Sequence, residues 1–256
     1  MKNIEFGCCI FTVDDEFAKA PYETLYALKE MGYSYTESGE FGVHSTATWK
    51  DLFNKSGIGL KSIHVSINYM EMWFEHIVEF IENMQAGTRY IGCPFLRSGK
   101  ADSIDGYLEE AETMSKLGKR FKERGLQFVY HNHDYEFKDL DSNGTFGLDI
   151  LRENSDPEYL KFELDTFWIK YGGQDPVNYI KKFAGRCPVI HLKDITPDRI
   201  FAPVGEGILE FDKIIPAALE CGVKDFLVEQ DEKRKPSLEC AKSSSDTVKK
   251  ILKNLS

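Results

Sequence analysis

The sequence of 256 residues lacks the motifs of several common protein classes. Neither GxGxxG nor GxxxxGK[ST] occurs, so the usual phosphate loops of dinucleotide and nucleotide enzymes are absent. Its six cysteines include no CxxC pair, which favours reduced thiols over disulfides or a zinc ribbon. No apolar run approaches the ~20 residues of a membrane helix, and residues 1–13 show no secretory pattern. We therefore expect a cytoplasmic protein with no membrane partner.

Positive charge is also in short supply. Lys and Arg number 32 against 42 Asp and Glu, which gives a formal net charge of −10. A general nucleic-acid binder needs clustered basic residues, so no nucleic-acid partner is expected. Hydrophobic residues at 42% and charged residues at 29% are typical of an ordinary globular chain. The length matches the ~250 residues of a barrel built from eight strand–helix units.

One pattern repeats along the chain: a short apolar run, a polar or glycine-containing turn, and an amphipathic helical stretch. Gly32, Gly125 and Gly222 each lie just before an apolar run, where a helix C-terminus needs positive φ. The eight apolar runs are 4–12, 33–37, 60–67, 90–95, 127–133, 161–168, 188–194 and 226–230. Helices are expected at 22–31, 73–84, 104–124, 176–183, 211–221 and 238–255.

Alternating strands and helices imply parallel strands joined by right-handed crossovers. The competing open sheet usually carries a glycine-rich turn after its first strand, whereas residues 13–16 read Val-Asp-Asp-Glu. No linker or low-complexity segment interrupts the pattern. We therefore predict one domain, residues 1–256, folded as a (β/α)₈ TIM barrel.

Polar residues cluster where the last four predicted strands end, which is where the active site of such a barrel lies. Side chains alternate along a strand, so His131 shares a face with His133, Glu163 with Asp165, and His191 with Lys193. His64 lies inside the third run, where a structural role and a role in the site are equally open. The remaining strand-end candidate is Glu229, on the eighth run.

Inward charges on neighbouring strands cost several kcal/mol each when they are buried without partners. A divalent cation removes that cost. Two imidazoles with two or three carboxylates suit Mn²⁺, Co²⁺, Fe²⁺ or Zn²⁺ more than Ca²⁺. A purely structural network of ion pairs is the alternative interpretation of the same residues.

Four segments in order, at barrel spacing, resemble the sugar phosphate isomerase/epimerase family of xylose isomerase-like TIM barrels. They are YHNHDYEF (130–137), ELDTFW (163–168), HLKD (191–194) and VGEG (204–207). The resemblance covers essentially the whole chain, and YHNH looks like the branch that includes inosose dehydratases and lyases acting on 3-keto-sugars.

The resemblance implies one divalent metal ion, with Mn²⁺, Co²⁺, Zn²⁺ and Mg²⁺ as candidates. Asp165, His191 and Glu229 match three of the family's ligands. The family's first ligand, a glutamate on the fifth strand, is replaced at that register by His131. Glu136, a few residues later, is the alternative to His131.

The resemblance also implies isomerisation or epimerisation that starts with removal of a proton next to a sugar carbonyl, without a redox cofactor. Elimination by a lyase or dehydratase on a keto-sugar or keto-inositol shares this first step. The candidate proton acceptors are Glu229, Glu136 and His133, and Lys193 would stabilise the developing negative charge. The expected substrate-binding residues are His64, Trp168, Glu206 and Lys193.

The expected partner is a small sugar or polyol, and a homo-oligomer is left open. Barrels often bind phosphate after strands seven and eight, where Gly205 and Gly207 could offer backbone amides. Glu206 lies between these glycines and would repel a dianion. We therefore favour an unphosphorylated substrate.

Two rival functions use the same fold. A DNA-repair endonuclease with several zinc ions needs more ligands, yet the fourth strand ends in Gly-Cys-Pro-Phe (92–95) without a histidine. The acidic charge balance also opposes duplex binding. The second rival is a non-catalytic barrel that only binds a sugar or a protein.

Overall fold

The computed structural model describes residues 4–39 and 44–255. Within that part the strands are β1 (Gly7–Cys9), β2 (Tyr35–Ser38), β3 (Gly59–His64), β4 (Tyr90–Cys93), β5 (Gln127–His131), β6 (Leu160–Asp165), β7 (Val189–Leu192), β8 (Asp194–Ile195), β9 (Phe201–Ala202) and β10 (Asp225–Val228). Eight of them are parallel and close into a barrel in the order β1-β10-β7-β6-β5-β4-β3-β2. The short strands β8 and β9 form a separate antiparallel pair.

Helices connect the strands of the barrel. They are α1 (Asp14–Phe17), α2 (Pro21–Glu30), α3 (Thr46–Ser56), α4 (Ile67–Met84), α5 (Ile104–Glu123), α6 (Gly147–Asn154), α7 (Thr166–Tyr171), α8 (Pro176–Lys182), α9 (Phe211–Glu220) and α10 (Ser237–Leu255). Serine side chains cap several of them, as Ser66 does for α4 and Ser103 for α5. Within the described ranges, no helix combines the length and apolarity that crossing a bilayer requires.

The predicted barrel is confirmed, and each of the eight apolar runs overlaps one barrel strand. The predicted and observed boundaries differ because residues predicted at the end of a strand can belong to the start of the following helix. Strand β3 ends at His64, and α4 begins at Ile67 instead of residue 73, with a kink at Trp73 (φ −125°, ψ 32°). Helices α1, α3, α6 and α7 were not predicted. The seventh run ends earlier than expected, because Asp194 leaves the barrel to pair with Ala202.

The barrel interior changes from apolar to charged along its axis. Near the N-terminal ends of the strands, one buried cluster, here called the closing layer, fills the barrel: Tyr35, Tyr90, Val129, Val189 and Leu227. On four of these five strands the next inward position carries a charged or polar side chain, for example Glu37 after Tyr35 and His191 after Val189, whereas β4 has Gly92 there. Apolar packing therefore closes one end of the barrel, and the opposite end holds the polar residues.

Candidate metal centre

Strand alternation and register bring the predicted residues together. On β6, Glu163 and Asp165 both occupy inward positions. Glu163 lies beside His131 of β5, and Asp165 lies beside His191 of β7. Because neighbouring parallel strands lie ~4.8 Å apart, these pairs are in direct reach of one another.

Four side chains form what we call the upper group: His131, Asp165, His191 and Glu229. All four are buried, and one ligand atom from each lies within 4.8 Å of the other three. His191 Nδ1 is 2.9 Å from Glu229 Oε2, and His131 Nε2 is 3.8 Å from Asp165 Oδ2. The structure thus brings together the four residues that the sequence predicts as metal ligands.

A second set lies deeper and is called the lower group: His64, His131, Glu163 and His191. His64 Nε2 is 2.5 Å from Glu163 Oε2. Glu37 of β2 adjoins this set, with its carboxylate oxygens 3.2 Å from His64 Nε2 and 3.1 Å from His191 Nε2. The two groups share His131 and His191, and the Nδ1 of His191 faces the upper group while its Nε2 faces the lower one.

A glycine makes room for His64. Gly92 of β4 pairs in register with His64 of β3. A Cβ at residue 92 would lie 2.2 Å from the Cδ2 of His64, closer than any real contact. The missing side chain on β4 therefore lets the imidazole reach the centre of the barrel.

Several atoms of these groups are buried without a hydrogen-bond partner among the described residues. They include Asp165 Oδ2, His131 Nδ1, His191 Nε2 and Glu163 Oε1. A buried polar atom left unpaired costs about 1–3 kcal/mol, and more when it is charged. Imidazole nitrogens and carboxylate oxygens within 4.8 Å of each other fit a divalent cation such as Zn²⁺, Mn²⁺ or Co²⁺.

The electrostatics of the upper group fit the same ion. Burial raises the pKa of Asp165 to about 7, although the Lys193 ammonium opposes this. Burial lowers the pKa of His131 to about 4, so this imidazole is neutral at pH 7, as a ligand must be. Burial would also lower the pKa of His191, but Glu163, Glu37 and Glu229 outweigh it and raise that pKa well above its ordinary value. Without a cation, a proton on His191 balances part of the negative charge of the carboxylates.

Lys193 supplies the permanent positive charge of the site. It is 2% exposed, and its Nζ lies 3.0 Å from Glu229 Oε2, 2.7 Å from Asp231 Oδ1 and 3.6 Å from Asp165 Oδ2. Burial would lower the pKa of Lys193, but these carboxylates raise it above its ordinary value. The ammonium therefore stays charged next to the candidate ligands.

Aromatic side chains form one wall beside Lys193. Its Nζ is 5.2 Å from the ring centroids of both Trp168 and Phe201. The His133 ring packs 5.3 Å from the Trp168 ring. Trp168 Nε1 and His133 Nδ1 are buried without a hydrogen-bond partner in the described part of the chain. This wall, here called the aromatic wall, offers ring faces and two unused polar atoms.

The fold and the four candidate ligands of the upper group have counterparts to look for among known proteins. Residues 25–251 match the family described as xylose isomerase-like TIM barrel. The chain belongs to this family. The recognised resemblance and the fold class are therefore both confirmed for this xylose isomerase-like barrel.

Relatives of this xylose isomerase-like barrel include sugar enzymes. It is 28% identical over 152 residues to an inosose dehydratase of Clostridium tetani (strain Massachusetts / E88). The aligned part covers 51% of this chain and 50% of that protein. The chain spans about half the length of the first such relatives that it matches.

Two solved structures share its fold. A sugar phosphate isomerase/epimerase from Parabacteroides distasonis ATCC 8503 matches with a TM-score of 0.85 at 21% identity, over 96% of this chain and 98% of that one. The structure of IolI protein with a binding zinc atom matches with a TM-score of 0.71 at 12% identity, over 98% of this chain and 99% of that one. At these identities the likeness concerns the fold alone.

Two of the predicted site residues, Glu136 and Glu206, have their hydrogen-bond partners outside both groups. Glu136 accepts hydrogen bonds from the Tyr130 hydroxyl (2.5 Å) and the His133 amide (2.9 Å), so its carboxylate is already engaged. Glu206 accepts from Lys235 Nζ and from the Ser243 hydroxyl beside α10. The geometry therefore gives no support to Glu136 as a ligand or to Glu206 as a substrate-binding residue.

The VGEG segment has a different partner from the one expected. The Asp194 carboxylate accepts hydrogen bonds from the backbone amides of Gly205, Gly207 and Leu209 at 2.9–3.1 Å. A Cβ at Gly207 would lie 2.3 Å from Asp194 Oδ1, which explains the glycine. These amides are occupied by a carboxylate, so they are not free to bind a phosphate.

Sequence reasoning missed two carboxylates of the centre. Glu37 is fully buried at the end of β2, and Asp231 contacts Lys193 just after β10. Glu37 was visible as the last residue of the second apolar run, so the strand-end rule used for the other strands would have found it. Asp231 follows Glu229 at a spacing of two and shares its face.

Proposed function

We propose that this barrel is a metal-dependent sugar isomerase or epimerase whose reaction begins by removing a proton next to a sugar carbonyl. The observation that carries the proposal is the upper group, in which two imidazoles and two carboxylates lie buried within 4.8 Å of one another at the strand ends. Structural ion pairs alone would leave several of their atoms without partners.

In this proposal, His131, Asp165, His191 and Glu229 hold one divalent ion. When bound, the ion would act as a Lewis acid toward a carbonyl or hydroxyl oxygen of the sugar. The lower group supports these ligands from below, because Glu37 and Glu163 face the second nitrogen of His191. Carboxylates in that position fix the orientation of a ligating imidazole.

The proton chemistry falls to residues beside the ligands. Lys193 remains charged and would donate to the substrate oxygen on which negative charge develops. Glu229 and His133 remain candidates for accepting the proton. Asp231 is a third candidate, because its carboxylate contacts Lys193. Burial lowers the pKa of His133 to about 2, which makes it a weak base. Burial would raise the pKa of Glu229, but Lys193 and His191 hold it well below its ordinary value, whereas burial raises the pKa of Asp231, and these directions favour Asp231 as the base.

The surroundings suit an uncharged, oxygen-rich substrate. The aromatic wall offers Trp168 and Phe201 faces for the apolar side of a sugar ring. A cavity of about 520 Å³ lies at the same end of the barrel, lined in part by Phe11, Phe17 and Trp49. The amides that could bind phosphate are taken by Asp194, so we propose an unphosphorylated sugar or polyol.

A lyase or dehydratase acting on a keto-sugar or keto-inositol is the second candidate. It is supported by the relatives named inosose dehydratase. Both candidates share the same first step. In one case the proton returns to the carbon, and in the other a β-substituent leaves.

Solvent exchange tests the shared step. The metal-loaded protein is incubated in D₂O with ketoses, keto-inositols and 3-keto-glucosides, and the α-position is followed by NMR. Deuterium in a product with intact carbon substituents indicates epimerisation or isomerisation, and loss of the β-substituent indicates elimination.

Two controls accompany the exchange experiment. Chelator-treated protein should exchange nothing, whereas Lys119→Gln, a change at an exposed lysine of α5, should exchange at the wild-type rate. If the site is fully metallated and no candidate substrate reacts or exchanges, the proposal should be abandoned for hydrolysis or simple binding.

A further inference from the structure

A cavity of about 580 Å³ opens at the end of the barrel opposite the metal centre. It is lined by the starts of β4, β5, β6, β7 and β10 and by the turns before them, including Gly125, Gly185 and Gly222. The closing layer of apolar side chains lies between this cavity and the charged residues above it. The cavity is therefore a separate site and not the floor of the metal centre.

Basic side chains dominate its lining: Arg89, Lys122, Lys161 and Lys224. Lys122 pairs with Glu158. Arg89, Lys161 and Lys224 make no ion pair with any carboxylate among residues 4–39 and 44–255, although the chain carries a net charge of −10. The nearby Asp225 carboxylate is already bound by Lys61 and by the Tyr90 hydroxyl.

Helix dipoles do not account for this excess of positive charge. Helix C-termini at this end of the barrel attract cations, and Lys161 Nζ does donate to the Gly185 carbonyl at 3.0 Å. Arg89 and Lys224 make no comparable side-chain hydrogen bond in the part of the chain that is described. Burial lowers the pKa of Lys161, and the neighbouring positive charges of Arg186, Lys122 and Lys224 lower it further.

We propose that this cavity binds a small phosphate-bearing anion, held by Lys161, Lys224 and Arg89. Phosphate oxygens accept several charge-assisted hydrogen bonds at once, and Arg and Lys are the residues that usually bind them. A multivalent anion also offsets the repulsion between Lys161 and Lys224. The volume falls within the range of small-molecule pockets and suits a phosphorylated metabolite as well as a free phosphate.

Binding is measured by calorimetry on the metal-loaded protein at constant ionic strength, with inorganic phosphate and glucose 6-phosphate as separate probes. Lys161→Gln combined with Lys224→Gln should raise the Kd of the bound probe at least about tenfold. Arg89→Gln, which changes an exposed side chain, gives an independent test if the double variant folds poorly. Tighter binding of glucose 6-phosphate indicates an ester, and tighter binding of inorganic phosphate indicates the free ion.

Two further variants separate this cavity from other binding. Lys119→Gln removes an exposed lysine outside the cavity and should leave the Kd unchanged. Lys193→Met changes the metal centre and should also leave it unchanged. The proposal is overturned if neither probe binds, if the cavity variants bind as the wild type does, or if only Lys193→Met weakens binding. None of these outcomes depends on the proposed reaction.

Discussion

Replacing Asp165 by Asn should stabilise the metal-free protein and reduce the stability that the protein gains from metal. The substitution keeps the size of the side chain, and the Asn oxygen can still accept the hydrogen bond that caps α7 at Trp168 N, now 3.0 Å long. Lys193 keeps Glu229 and Asp231 as partners, so no cation is left unpaired. The main change is therefore the loss of one negative charge from the upper group.

The structure sets the size of the effect without metal. The pKa of Asp165 is raised from 3.8 to about 7. Ionising this buried carboxyl group therefore destabilises the fold, and the stability is lost as the pH rises through about 7. At 1.36 kcal/mol per pH unit, the cost at pH 8 is up to about 4 kcal/mol. Asp165→Asn removes it, so the chelator-treated variant should melt several degrees higher than the wild type at pH 8.

With metal this advantage should shrink or disappear. A ligand at 1,000 times its Kd adds about 4 kcal/mol of stability, and loss of one anionic ligand should weaken binding at least about 100-fold. Differential scanning calorimetry with chelator, and then with excess Zn²⁺, Mn²⁺ or Co²⁺, measures both effects. Asp225→Asn is the matched control, because it removes a buried carboxylate that binds Lys61 and Tyr90 and should destabilise both forms equally. A variant that is less stable without metal, yet gains as much from metal as the wild type, would refute the reasoning.

Three other predictions follow from the same geometry. Metal binding at pH 7 should release at least about one proton, because His191 is protonated without metal, and Kd should rise roughly tenfold for each unit by which the pH falls below 7; calorimetry in two buffers of different ionisation enthalpy measures this, and a count of zero would contradict it. Lys193→Met should lower kcat while metal analysis still finds one ion per chain; loss of the ion would show that Lys193 supports the ligands instead. Gly207→Ala should destabilise the fold by about 2–4 kcal/mol in urea unfolding, because its Cβ would lie 2.3 Å from Asp194 Oδ1; wild-type stability would mean that the loop yields freely.

The barrel and most of the centre could be predicted from the sequence because two periodicities act together. Strand alternation selects the inward residues, and barrel closure brings the strand ends to one place, so His131, Asp165, His191 and Glu229 converge whatever the details of the loops. The fold class was confirmed on these grounds.

Contacts outside the regular strands could not be predicted in the same way. The register between β2 and β3 shifts between Thr36 and Glu37, and nothing in the local sequence marks that irregularity. Glu206 looked like a pocket residue because glycines flank it. Its actual partners, Lys235 and Ser243, lie about 30 to 40 residues away and are brought to it only by the packing of α10.

The fit between Gly92 and His64 also constrains how this barrel can change during evolution. The imidazole occupies the space that any side chain at position 92 would need. A mutation that adds a side chain on β4 displaces the ring and with it the short contact to Glu163, whereas the same mutation is harmless once residue 64 has become small. The two positions are thus expected to co-vary among related barrels, with the change on β3 preceding the one on β4.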